Sequence, residues 1–256
     1  MFSGCVDKIS KGLNYFFLPF ENSRYFGDLV RLVFSQRSLP RELIHLQQYQ
    51  KWFRKKSFKT IIDVGANTGP FAFAARVLLA DSQIYAFEPL PECYQKLNSN
   101  LSPYGHFSAF QSAIGNQRGE MEMWKSDFTE SSSLLPMDDL HKKAFPHTAN
   151  QKVIKVPISK LDDYLEKMHL LPPVLLKIDV QGYEDQVIMG ATRILQQVDS
   201  IMIEMSFQPL YQGQPLFDEI YQLLISKGFT FAGNMDGLLS PLDGSILQSD
   251  GIFNRS

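Results

Sequence analysis

Cysteine is scarce in this 256-residue chain, which has two, Cys5 and Cys93. Two thiols so far apart build neither a disulfide framework nor a zinc site, and free thiols point to a reducing cytoplasm. Apolar runs of membrane-spanning length are missing as well. Residues 13–20 are greasy but short, are broken by Asn14 and Pro19, and lack the small residues of a signal-cleavage site. Internal repeats and low-complexity tracts are absent. What remains is the composition of an ordinary globular chain. Its hydrophobic content is 44%, and its length suits one α/β domain with an accessory segment.

A strong net charge is lacking too, at −2 near neutrality, but that value hides an asymmetry. Residues 1–57 hold ten Lys and Arg against four Asp and Glu, a net of +6. Residues 58–256 hold fifteen against twenty-three, a net of −8. An acidic main domain repels phosphates, so nucleic acid is not an expected partner. The expected division is an N-terminal helical extension, 1–57, followed by the main domain, 58–256. In the extension Tyr25, Leu29, Leu32 and Val33 make one helical stripe. Leu43, Leu46, Tyr49, Trp52 and Phe53 make another, with Pro40 as the break. Such stripes suit packing on the main domain or a lid over its ligand.

The informative stretch is residues 60–90. Ile61, Ile62 and Val64 form the β-branched run of a strand buried on both faces. Gly65, Asn67 and Gly69 follow at alternate positions, each suited to a tight turn with positive φ. Pro70 fits the first helical position, and Phe71, Ala74, Ala75, Leu78 and Leu79 continue at helical spacing. A second strand, 83–87, ends on Glu88, about twenty residues past the turn. Doubly wound α/β folds place there the acid that accepts ribose hydroxyls.

The turn reads Gly-x-Asn-x-Gly, which is too short for a dinucleotide fingerprint. Pro70 also removes an N–H that a pyrophosphate would use. Asp63 at the strand end and a short loop suit instead a ligand with a cationic amino-acid part and a ribose. S-adenosyl-L-methionine is such a ligand. Asp63, Gly65, Asn67, Gly69 and Glu88 are the residues expected to bind it, and a nucleotide-binding dehydrogenase is the rival reading.

Asp63-Val-Gly-Ala-Asn-Thr-Gly69 and Phe87-Glu-Pro89 resemble the first motifs of class I methyltransferases. Together with Leu176-Lys-Ile-Asp-Val-Gln-Gly-Tyr-Glu184 they resemble the FkbM family, over roughly residues 58–256. The resemblance implies a Rossmann-like, doubly wound, mostly parallel seven-stranded sheet of order 3-2-1-4-5-7-6. It implies S-adenosyl-L-methionine as cofactor and a small-molecule or glycan acceptor, methylated at a hydroxyl of a sugar, glycan or secondary metabolite. It also brings Ser112 and Ala113, after the third strand, toward the adenine. The family motif more often has Glu where this chain has Gln181. An acid at that position is therefore not available here.

The remaining segments alternate strand and helix. Strands are expected at 106–110, 119–124, 153–158, 174–178, 201–203 and 229–232, with a terminal antiparallel strand at 252–253. Helices are expected from Pro91 and over 160–168 and 216–225. Residues 126–150 show no periodicity and read as a substrate-facing loop. Glu184 and Asp185 fall in the first turn of a helix, where the macrodipole favours acids.

Asp179 and Glu204 close neighbouring strands on the same edge as Asp63 and Glu88. Either could take a proton from a hydroxyl, accept the cofactor's ammonium or hold Mg2+, which takes oxygen ligands. No obvious third ligand accompanies them. Asp179, nearer the glycine turn, is the first candidate for an essential catalytic group, and Glu204 the second. Lys177 shares a strand face with Asp179 and neutralises the cluster. His141 and His147 are further candidate bases, because imidazole titrates near neutrality. Oxygen methylation is the expectation, and nitrogen methylation of a small amine, which needs no strong base, is the alternative.

Overall fold

The computed structural model describes residues 49–256. Cys5, the 25–33 stripe and the start of the second stripe lie outside the described residues. Elements run in chain order as α1 (Gln50–Lys56), β1 (Thr60–Val64), α2 (Pro70–Leu78), β2 (Gln83–Phe87), α3 (Pro91–Leu101), β3 (Phe107–Phe110), β4 (Ala113–Ile114) and β5 (Gly119–Ser126). The chain continues through α4 (Asp139–Ala144), β6 (Gln151–Ser159), β7 (Val174–Ile178), α5 (Glu184–Met189), α6 (Thr192–Leu195) and β8 (Ser200–Ser206). It ends with α7 (Phe217–Ser226), β9 (Phe229–Leu239) and β10 (Ile246–Arg255).

The main sheet has seven strands in the order β3-β2-β1-β7-β8-β10-β9, which is the 3-2-1-4-5-7-6 order that the sequence resemblance implies. β1 pairs in parallel with β2 on one side and β7 on the other, so the strand order reverses at its carboxyl end. That reversal opens a crevice. β10 is antiparallel to both β8 and β9. Every residue of β1 is buried, as its β-branched run predicts. Alternation sends Ile62 and Val64 into the core on one face, with Leu176, Ile178 and Ile203. Ile61 goes to the other face with Leu175, Phe71 and Met202.

α2 begins at Pro70 behind Gly69, whose φ of 91° is left-handed. Its Arg76 is fully buried and donates to the carbonyls of Ala80, Ser82 and His106, which ties the helix to the starts of β2 and β3. α1 packs on this side through Phe53, whose ring meets Phe58 and Trp52. The part of the second apolar stripe that is described is therefore core contact.

β4, β6 and β5 form a separate three-stranded sheet beside the crevice. The segment 126–150 is not featureless. It holds α4 and two short 3₁₀ turns, Thr129–Ser131 and Pro146–Thr148. The helix expected over 160–168 is a run of 3₁₀ turns, Leu161–Lys167. Asp162 caps the amides of Arg193 and Ile194, and Asp163 accepts from the Lys160 amide. Local side-chain bonds thus compete with an α-helical ladder.

Candidate active site

Gly65 leaves β1 with φ of 86° because its neighbours require it. An added Cβ would lie 1.8 Å from the Asp179 carbonyl oxygen. The amides of Gly65 and Ala66 both donate to Phe87 O, so the turn is pinned to the end of β2. Asn67, at φ 48°, donates its amide to Glu88 Oε2 over 2.8 Å, and Leu90 donates to Glu88 Oε1 over 2.8 Å. Each carboxylate oxygen keeps a second acceptor site. Gly65, Asn67, Glu88, Ser112 and Ala113 all line one cleft. Thr129, from the 126–150 segment, meets the Asn67 side chain at 3.2 Å and forms part of the cleft's wall with Glu130 and Ser132.

The cleft continues past β7 and β8 to Asp179, Gln181, Glu204, Gln248 and Asp250. Period-2 geometry places Lys177 and Asp179 on one face of β7, with Lys177 in register with Asp63. Lys177 Nζ lies 3.1 Å from Asp179 Oδ2 and 3.7 Å from Asp63 Oδ1. Gln181 Nε2 donates to Asp179 Oδ1 at 2.8 Å and to Glu204 Oε2 at 2.7 Å. Gln248 Nε2 adds a third donor, 2.9 Å from Glu204 Oε2. Both oxygens of Asp179 are engaged. Glu204 Oε1 has no hydrogen-bond partner among the described residues.

Several residues singled out from the sequence lie elsewhere. Asp63 is fully buried beneath the cleft floor, and its wall does not include it. Gly69 faces α3, where a Cβ would meet Leu97 at 2.8 Å, so close packing and its left-handed φ both call for glycine there. His141 is buried against Phe145 and Tyr211, while His147 is exposed beside Phe128. Neither lines the cleft. Glu184 does more than sit at a helix start: its Oε1 accepts from the Val180 and Gly182 amides and closes the loop after β7. Three contributors carried no sequence signal: Tyr211, Gln248 and Asp250. Register pairing with Glu204 brings Asp250 in from the far end of the chain.

Burial sets the electrostatics. It pushes Asp63 up to about 6, against the downward pull of Lys177. It pushes Glu88 and Glu184 up to about 7, against their backbone donors. Glu204 is raised by burial first, then by Asp179 and Asp250. These acids bind protons more tightly folded than unfolded, so the stability they contribute is lost as pH rises above the ordinary carboxylate range, through about 6 for Asp63 and about 7 for Glu88 and Glu184. His141, lowered to about 4 by burial, works the other way below its ordinary value of 6.5. Four acids outweigh one histidine. The ligand-free protein should therefore melt roughly 3–6 °C higher at pH 6 than at pH 8 in a scanning fluorimetry series, and an equal or lower melting point would refute this balance.

Residues 63–231 match the model of the Methyltransferase FkbM domain. The 2-O-methyltransferase NoeI of Sinorhizobium fredii is 27% identical over 209 residues, 79% of this chain and 83% of that protein. The hexuronic acid methyltransferase AglP of Haloferax volcanii is 26% identical over 144 residues, 56% and 54% of the two chains. The crystal structure of Methyltransferase FkbM from Methylobacillus flagellatus KT overlaps with a TM-score of 0.49 at 12% identity, covering 77% of this chain and 44% of that one. The matched stretch contains the glycine turn, Glu88 and the Asp179–Glu204 pair, and it spans more than half of the sequence. The chain belongs to the FkbM methyltransferase family.

Proposed function

We propose that the protein is an S-adenosylmethionine-dependent O-methyltransferase acting on a hydroxyl of a sugar, glycan or secondary metabolite. The observation that carries this reading is the continuity of one cleft from the Gly65–Glu88 turn to the Asp179–Glu204 pair. The turn residues fit the cofactor. Glu88 keeps acceptor capacity for ribose hydroxyls, Gly65 leaves the crevice open, and Ser112 and Ala113 wall the side toward β3. The 2-O-methyltransferase and hexuronic acid methyltransferase among the relatives support a sugar hydroxyl as acceptor.

When bound, S-adenosylmethionine supplies a sulfonium methyl: the acceptor oxygen takes the carbon, and the electron pair of the broken C–S bond stays on sulfur. The chain's part is to position the hydroxyl and receive its proton. Asp179 has both oxygens committed to Lys177 and Gln181, which suits a fixed anion facing the cofactor's ammonium. Glu204 keeps Oε1 for the proton. Geometry thus favours Glu204 as the base, ahead of Asp179, the nearer acid in sequence terms.

The test is a radiolabelled methyl-transfer panel of glycosides and small amines. Product on hydroxyl acceptors alone supports the reading; product on amines alone rejects it. Glu88→Ala should weaken S-adenosylhomocysteine binding by about 1.5–3 kcal/mol, the scale of hydrogen bonds to a charged group. Unchanged affinity by titration calorimetry, with the fold intact, would remove Glu88 from the cofactor site.

A further inference from the structure

Two carboxylates at adjacent strand ends are where a divalent cation would be sought, because hard cations take oxygen ligands. Here that place is filled by nitrogen. Gln181 Nε2 sits between Asp179 Oδ1 and Glu204 Oε2, at 2.8 and 2.7 Å. Lys177 Nζ covers the other oxygen of Asp179, and Gln248 Nε2 shares Glu204 Oε2. Three donors converge on the pair. Magnesium demands oxygen ligands in near-octahedral array at about 2.0–2.1 Å, and N–H groups aimed at the same oxygens repel it. Among the described residues no three His, Cys, Asp or Glu side chains are grouped to hold a metal. The residues present do not fit the ion.

The amide is held in this orientation from behind. Tyr211 Oη, on a fully buried ring, donates to Gln181 Oε1 at 2.9 Å. Turning the amide over would aim its oxygen at two carboxylates. The backbone is held as well: Gln181 has φ of 58°, and Ser133 Oγ donates to its carbonyl at 2.6 Å. A non-glycine residue in the left-handed region persists where its surroundings over-determine it. Gln181 has that support on both its backbone and its side chain.

We propose that Gln181 is a positioning residue that takes the place of a bridging cation: its amide joins Asp179 to Glu204, so that the pair works without a divalent metal. The role of Glu204 in proton transfer rests on the function proposed above; the claim about metal does not. Two carboxylates brought this close repel each other, and a neutral amide relieves that repulsion with one N–H to each. A Glu at this position would supply a third oxygen ligand instead of two donors. The same cluster would then become a cation site.

The experiment is calorimetric titration of the purified chain with Mn2+, and separately with Mg2+, alongside the Gln181→Glu and Gln181→Met variants. The parent chain should show no binding tighter than millimolar, and EDTA should leave its methyl transfer unchanged. Gln181→Glu should bind Mn2+ at least tenfold more tightly than the parent. Gln181→Met, which keeps length but loses both donors, should lower kcat at least tenfold. It should leave the cofactor KM within about twofold and move the acidic limb of the kcat/KM profile to higher pH, a displacement that loss of packing alone does not produce. Micromolar Mn2+ binding by the parent chain overturns the proposal, as does Gln181→Glu binding no tighter than the parent. If either variant fails to fold, the parent titration decides alone. If no acceptor is methylated, the titrations still stand, so failure of the proposed function and failure of this inference are separable.

Discussion

Glu204→Gln should slow methyl transfer by about 10²–10⁴, the usual contribution of a general base, while S-adenosylhomocysteine binds as it does to the parent chain. The substitution keeps the length of the side chain and an oxygen to accept from Gln181 and Gln248, so the network that fixes residue 204 survives. What is lost is the carboxylate at Oε1. The pH profile gives the sharper reading. A base works only when deprotonated, so kcat/KM should rise with pH through the pKa of Glu204. Burial, then Asp179 and Asp250, hold that pKa well above the ordinary 4.5, and Lys177 opposes them. The rising limb therefore lies nearer neutrality than an exposed Glu would place it, and in Glu204→Gln it should vanish. A variant within tenfold of the parent rate, with the limb retained, would take the proton-acceptor role away from Glu204.

Gly65→Ala should cost about 2–6 kcal/mol of stability and abolish measurable cofactor binding. Two penalties add. A non-glycine residue at φ 86° is strained by about 1–3 kcal/mol. Overpacking costs a further 1–3 kcal/mol or so, because the new methyl would sit 1.8 Å from Asp179 O and 2.8 Å from its carbonyl carbon. Neither backbone can easily retreat. The Asp179 amide is bonded to Val64 O, and the Gly65 amide to Phe87 O. Relief would have to spread β1 from β7 or β2 at the point where the crevice opens. Gly105→Ala is the control, with φ of 65° and nothing within 4 Å of its added carbon. It should cost only about 1 kcal/mol. Urea melts that place the two variants within 1 kcal/mol of each other would show that close approach at Gly65 does not matter.

The β1–α2–β2 unit was legible because its information is local. Three β-branched residues, a turn with glycines at both ends and an alanine-rich helix each declare a period or a φ without help from distant contacts. Glu88 was legible for the same reason: counting from the turn puts it at the end of the next strand, and there it stands in the cleft with Asn67. Asp179 and Glu204 could be placed on one sheet edge by strand alternation. The strand order came from family resemblance rather than from any residue pattern, since nothing local says which strands are neighbours.

Other assignments depended on what lies across the sheet. Asp63 and Gly69 sit in the glycine-turn motif yet neither lines the cleft. A strand's period of two fixes which face Asp63 occupies, but not that Lys177 and the underside of the crevice will cover it. The irregular 126–150 segment gave no hint that it would supply Thr129 to the cleft wall while burying His141 behind Tyr211. The ranking of the two acids was decided by residues with no local signature at all. Gln248 reaches Glu204 only because β10 inserts antiparallel between β8 and β9, and Tyr211 orients the Gln181 amide across 30 residues of chain. Sequence by itself determined the fold class, the glycine turn and the edge on which the acids stand, because backbone periodicity and turn chemistry act between near neighbours. Which carboxylate keeps an unshared oxygen was decided by tertiary structure alone, because hydrogen-bond donors are allotted by proximity in space.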